Sequence, residues 1–213
     1  VDKKVGRNFE EIKGEEFDSI IHLAASISVE ESEFMQEDYI QNNVVNTISL
    51  INNNSFNQFV FASTNAIFNP KGKIQPSSVY GATKLVIENY ITSNFPNNSV
   101  IVRIANPIGL KQYHIPIIDN LDAETATVLY KMALCKINNR TFHIHNLQRM
   151  IRDFISIETV ADLLIDLAVN VNNSNGLFQI GSGVGTDVID LFSSLCESFG
   201  IKYEYIDPPK GVD

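Results

Sequence analysis

Tyr80 and Lys84 stand four residues apart in the run Ser78-Val79-Tyr80-Gly81-Ala82-Thr83-Lys84. On a helix, residues at i and i+4 share one face, so the phenol and the ammonium would point the same way. An ammonium close to a phenol favours the phenolate and draws a pKa near ~10 towards neutrality. Such a pair is a general acid/base for interconverting a carbinol and a carbonyl, the proton half of a hydride transfer. Upstream, Phe59-Val60-Phe61-Ala62 runs into two hydroxyl residues, Ser63 and Thr64. The carboxyl end of a strand in an open α/β sheet is where ligands bind, and a hydroxyl there can bond the oxygen that Tyr80 serves. Ser63, Thr64 and Asn65 also suit a plain turn, and a Tyr/Lys pair at this spacing is common on exposed helices. The motif therefore gains its weight from its company.

Positioning these groups requires strands and helices in alternation. Short β-branched or apolar runs are predicted as strands at Ser19–Leu23, Gln58–Ala62, Val100–Ile104 and Leu177–Ile180, apolar enough to be covered on both faces. Between them, Phe34–Asn53, Tyr80–Tyr90, Glu124–Lys136 and Glu158–Val169 read as helices, the first from the spacing of Tyr39, Ile40, Val44, Ile48 and Ile51. Thr141–His145 reads as a further strand, on which His143 and His145 alternate. Thr186 reads as the N-cap of a last helix reaching about Ser198. The alternation predicts an α/β fold with a mostly parallel sheet built from the strands near Ile20, Val60, Val102 and Phe178.

Composition narrows the function classes. The 213 residues are 44% hydrophobic, enough for a core of one domain with an appendage. A formal net charge of -9 without a basic cluster argues against a nucleic-acid partner. No apolar run approaches the ~20 residues of a membrane helix, and Val1–Glu11 has no signal-peptide core, so a cytoplasmic protein with no membrane partner is expected. Cys135 and Cys196 lack metal-ligand spacing and read as buried thiols, and the histidines give no zinc pattern.

Seven segments in order resemble those of the extended short-chain dehydrogenase/reductase family of sugar-nucleotide epimerases and dehydratases. Asp18-Ser19-Ile20-Ile21-His22-Leu23-Ala24-Ala25 is similar to the family's D-x-V-I-H-L-A-A strand. Asn42-Asn43-Val44-Val45-Asn46-Thr47 looks like its N-N-V-x-G-T helix, with Asn46 where Gly is usual. Phe61–Phe68 resembles the segment carrying the Ser/Thr pair, and Tyr80–Lys84 the Y-x-x-x-K. Arg103-Ile104-Ala105-Asn106-Pro107-Ile108-Gly109, Arg152-Asp153-Phe154-Ile155 and Ile180-Gly181-Ser182-Gly183 resemble R-x-x-N-P-x-G, R-D-F-I and the I-G-S-G turn.

The resemblance implies a Rossmann-like core with a smaller substrate-binding lobe, bound NAD or NADP, and a nucleotide-sugar substrate; a homodimer is compatible with it. Tyr80 would be the acid/base, Lys84 would hold the nicotinamide ribose and tune Tyr80, and Thr64 would be the hydroxyl partner. Leu23, Ala24 and Ala25 would pass the cofactor with their backbone, and Ala62, Ser63 and Ala105 would lie against it. Asn43, counted with the cofactor residues, would order the helix behind the site. Asn106 and Arg152 would face the substrate's nucleotide or phosphates. The core would comprise residues 1–109 and 151–182, and the lobe 110–150 and 183–213. Asp153 suits a cap or ion-pair partner better than a catalyst, and Arg103 a structural role.

The family's Gly-rich first turn has no counterpart here, since Gly6 and Gly14 are isolated among charged residues; part of the C-terminus is also expected to be missing. Asn65-Ala66 follows Thr64 where the 4,6-dehydratases carry an acidic pair, which ranks dehydration below epimerisation or 4-keto reduction. A non-catalytic binding relative is the competing class.

Overall fold

A computed structural model describes residues 12–109, 128–145, 150–170 and 175–207. The chain divides into two compact units, Val1–Ala105 with Glu158–Ile180, and Asn106–Ile157 with Gly181–Asp213.

The first unit is built on four parallel strands, β1 (Glu16–His22), β2 (Ser55–Thr64), β3 (Ser99–Ile104) and β7 (Gly176–Ile180), in the order β1-β2-β3-β7. These are the four strands predicted from the sequence. The apolar centre of β2 explains why it is central: Phe59, Val60 and Phe61 are at most 1% exposed. Between β1 and β2 a short α1 (Val29–Phe34) precedes the helix expected over Phe34–Asn53, which runs without a gap as α2 (Gln36–Ile40), a π-helical turn (Gln41–Val45) and α3 (Asn46–Asn52). α4 (Val79–Asn94) starts at Ser78, whose hydroxyl accepts from Gly81 N, and stops where Pro96 disfavours helical geometry at Phe95. Its Ile87 and Ile91 close the core with Leu50, Ile51, Phe59, Phe61 and Ile101. α6 (Ile157–Val169) adds the Ala168 carbonyl that accepts from the Ser19 hydroxyl.

The second unit holds β4 (Asn106–Ile108), α5 (Val128–Ile137), β5 (Phe142–His145), β6 (Ile151–Ser156), β8 (Gly185–Asp187), α7 (Val188–Phe199) and β9 (Tyr203–Ile206). β4 and β6 pair in parallel, β6 and β8 antiparallel, and β5 and β9 in parallel. β6, with Arg152, takes β4 and β8 as neighbours and lies in this unit. The last helix is capped by Asp187 rather than Thr186: its carboxylate accepts from Ile189 N and Asp190 N. Cys135 and Cys196 are free thiols in the apolar cluster of this unit. The start expected for α5 at Glu124 lies outside the described residues. Among the described residues, no helix is long and apolar enough to cross a membrane.

His22 ends β1 inside the core, with Nε2 2.9 Å from Thr47 Oγ1 and its ring stacked on Phe61. Burial, and after it the Lys84 charge, lower its pKa from 6.5 to about 3. Below pH 6.5 the unfolded chain takes up this proton and the folded chain does not until about pH 3. Stability should therefore fall by about 1.4 kcal/mol per pH unit across that window. Denaturant unfolding between pH 7 and 4 checks this. His22→Gln, which keeps a donor for Thr47 but does not titrate, should flatten the loss.

Candidate active site

The carboxyl ends of β1, β2 and β3 lie side by side, so the segments leaving them share the edge where open parallel sheets bind ligands. Leu23, Ala24 and Ala25 follow β1, Thr64 ends β2, and Ala105, whose N–H donates to Ile180 O, follows β3.

Tyr80 arrives at this edge on the first turn of α4, where the Thr64 hydroxyl acts on its phenol and favours the phenolate. Thr64 Oγ1 also accepts from Ala66 N at 3.1 Å, which fixes the hydroxyl at the turn following β2. Gly81 permits the approach. A Cβ there would stand 2.4 Å from Ala66 O, a backbone atom that cannot swing aside. Gly81→Ala should therefore push α4 off the Thr64 turn and destabilise by roughly 1–3 kcal/mol, the range for overpacked sites. Thermal denaturation would register the loss of stability, and turnover should drop with it because Tyr80 moves away from Thr64.

The same turn is held from α1, across nearly fifty residues of sequence. Val79 N donates to Glu33 Oε1 at 2.9 Å, and Tyr80 N to Ser32 Oγ at 3.1 Å. Ser32 is fully buried and donates to Val29 O, so its hydroxyl orientation is set. These side chains satisfy N–H groups that a helix start otherwise leaves unpaired.

Lys84, 4% exposed, lies one turn further along α4. Its Nζ donates to Ala62 O at 2.9 Å and stands 4.8 Å from the centre of the Phe61 ring. Burial lowers its pKa to about 8, against the opposing pull of Glu88. For Tyr80, the direction differs from the expectation drawn from the Tyr/Lys spacing. Burial pushes the phenol up, and Thr64 pulls the other way. The Lys84 ammonium is turned to the Ala62 carbonyl and the Phe61 ring rather than spent on the phenol.

Asn43 is 2% exposed and its amide is engaged by the protein. Oδ1 accepts from Ser26 N at 2.8 Å, and Nδ2 donates to Ser26 O and to Thr83 Oγ1. Carried on the π-helical turn, it ties the segment after β1 to α4 and so orders both, with no donor left over for a cofactor. Ser63 is likewise occupied: its hydroxyl is bonded to Glu88, which takes a bidentate contact from Arg103. The sequence reading missed Glu88, although its spacing of four from Lys84 and eight from Tyr80 places all three on one helical face.

Asn106 and Arg152 belong to the second unit. Asn106 Nδ2 donates to Asp153 O at 2.9 Å, and Arg152 is exposed on β6. Asp153 caps the turn after β7: its carboxylate accepts from Ser182 N, Ser182 Oγ and Gly183 N, bonds that hold its pKa down. Among the described residues, no group of three or more His, Cys, Asp or Glu could hold a metal ion.

The donor set fits a dinucleotide cofactor. A buried ammonium with one of its three protons on a backbone carbonyl, a phenol under the influence of a hydroxyl, and short alanine-rich backbone at three parallel strand ends suit a ribose and a flat ring.

Comparison with known proteins agrees. The profile of the NAD dependent epimerase/dehydratase family matches residues 4–181. The bifunctional protein gal10 of Schizosaccharomyces pombe is 27% identical over 88% of the chain, which spans 31% of that protein's length. A UDP-N-acetylglucosamine 4-epimerase of Methanobrevibacter ruminantium shares the fold, with a TM-score of 0.77 at 24% identity over 96% of this chain and 67% of its own. The UDP-glucose 4-epimerase of Thermotoga maritima, solved with UDP-glucose, gives a TM-score of 0.74 at 25% identity over 91% of this chain and 65% of its own.

Proposed function

This chain belongs to the NAD dependent epimerase/dehydratase family, and on that footing we propose that it carries the acid/base centre of a sugar-nucleotide 4-epimerase. The observation that carries the reading is Tyr80 on the first turn of α4, its phenol under the influence of Thr64 at the end of β2, with Lys84 buried one turn along the same helix. The names of the similar proteins, several of them UDP-sugar 4-epimerases, support it.

A nicotinamide cofactor, when bound, supplies the acceptance and return of hydride. The backbone of Leu23, Ala24 and Ala25 would line it, with Ala62, Ser63 and Ala105 against it and Lys84 on its ribose. The protein's own part is proton handling. Thr64 Oγ would orient the sugar hydroxyl, Tyr80 Oη would take its proton as the carbonyl forms, and the same phenol would return a proton as the carbinol re-forms on the other face. Burial raises the phenol and Thr64 lowers it, so the Thr64 hydroxyl would reduce the cost of phenolate when the base is needed. Arg152 and Asn106 would serve the substrate's diphosphate and nucleoside, a guanidinium fork being shaped for bidentate phosphate contact.

Dehydration is disfavoured by the turn after Thr64. Asn65 and Ala66 occupy it, and Asn65 Oδ1 accepts from Gln179 Nε2, so no carboxylate stands there to help expel water. Incubating the protein that carries this chain with UDP-sugars, and reading the products by proton NMR, tests the proposal. A 4-epimer formed with no net change in NAD is expected. Stoichiometric consumption of NADH or NADPH on a 4-keto sugar would instead assign a reductase.

A further inference from the structure

Lys84 is surrounded by charge that the acid/base reading leaves unused. Glu88, one turn beyond it on α4, is 3% exposed. Arg103 Nε donates to Glu88 Oε1 at 3.0 Å and Nη2 to Oε2 at 2.6 Å. Ser63 donates its hydroxyl to Oε1 from β2. The Arg103 guanidinium lies 5.2 Å from the centre of the Phe68 ring, so it too is fixed. His22 stands near it from β1 as a neutral ring, Phe61 and the Ala62 carbonyl lie against it from β2, and Glu88 acts on it from its own helix. Of these groups, Glu88 is the anion.

We propose that Glu88 is a positioning residue for the Tyr80–Lys84 pair: its carboxylate, pinned by Arg103 and Ser63, keeps Lys84 an ammonium in surroundings that would otherwise strip its proton. Packing alone gives little reason for the arrangement, since well-packed apolar residues commonly replace a buried ion pair without loss. The location gives one. The pair stands one turn behind a buried lysine on the face that carries the acid/base, and Ser63 links it to the strand that carries Thr64. Burial opposes the charge on Lys84 and Glu88 sustains it, leaving the amine balanced near pH 8. Arg103 holds the carboxylate in place with both of its forked donors. This inference rests on the acid/base reading of Tyr80 for its meaning, but its electrostatic content can be measured without it.

The test is nitrogen-15 NMR titration of the Lys84 side chain in the protein without cofactor or substrate, with the signal assigned by its loss in Lys84→Met. In Glu88→Gln the midpoint should fall by about one pH unit or more, a tenfold loss in proton affinity. Because Glu88→Gln leaves Arg103 without its anion and threatens folding, Glu88→Gln/Arg103→Met, which removes both charges together, serves as a second variant and should show a smaller fall in the same direction. Ser63→Ala keeps the carboxylate and should leave the midpoint close to that of the unaltered protein. In turnover, the basic limb of the pH profile should retreat to lower pH in the Glu88 variants while KM for the sugar nucleotide stays put. A uniform loss at every pH, with the Lys84 midpoint unmoved in a folded single or double variant, would show that Glu88 only braces the helix and would overturn the proposal. An unmoved midpoint in an active epimerase sinks the role of Glu88 alone. A fallen midpoint in a protein that epimerises nothing sinks the acid/base reading alone.

Discussion

Tyr80→Phe should lower turnover by roughly 10²–10⁴-fold, the usual cost of removing a general acid/base, while the melting temperature barely moves. The ring stays and with it the packing of the first turn of α4. The lost hydroxyl orphans no partner, because Thr64 Oγ1 still accepts from Ala66 N. The stability cost should therefore remain within the ~1 kcal/mol of one ordinary hydrogen bond. Steady-state turnover beside a thermal melt separates the two effects. Normal turnover in the variant would remove Tyr80 from the mechanism.

Lys84→Met should do the opposite to stability while also impairing activity. Burial lowers the folded-state pKa from 10.5 to about 8. Between those values the unfolded chain binds a proton that the folded chain has released, so stability rises with pH across the window. Below pH 8 the ammonium is present in both states and its full burial penalty remains, about 3 kcal/mol. Methionine removes the penalty but leaves the Ala62 carbonyl without its donor, at about 1 kcal/mol, so a net gain of about 2 kcal/mol is expected at neutral pH. Denaturant melts at pH 7 and pH 10 should show the variant's advantage shrinking as the pH rises. Calorimetry with NAD should show weakened binding, and the remaining turnover should peak at higher pH. A lysine kept at such a cost is the pattern of a residue retained for function rather than for stability.

What could be read from the sequence depended on the range of the interaction. The four core strands were legible because each is a short apolar run whose meaning is local. Tyr80 and Lys84 were legible because four residues on a helix fix a shared face. Thr64 was legible through its place at a strand end. The clamp by Ser32 and Glu33 was not, since it joins α1 to α4 across 48 and 46 residues and nothing local marks it. The π-helical turn was hidden inside an apolar spacing that suits an unbroken helix, yet it is what brings Asn43 to Ser26 and Thr83. Glu88 was one step from discovery. Extending the Tyr80–Lys84 spacing by another turn reaches it, but its partner Arg103 depends on α4 packing against β3. Arg152 shows the same limit from the other side. Its motif was recognisable, whereas the allegiance of β6 to β4 and β8 is decided by strand pairing.

The central claim is that a hydride leaves one sugar carbon and returns to it while Tyr80 moves the proton. UDP-glucose carrying deuterium at C4, incubated with the protein and a trace of NAD, tests this directly. Mass and NMR analysis of the 4-epimer should find the deuterium still at C4, and Tyr80→Phe should slow its formation. An epimer that has exchanged the deuterium with water, or no epimer in the presence of intact cofactor binding, would contradict the account.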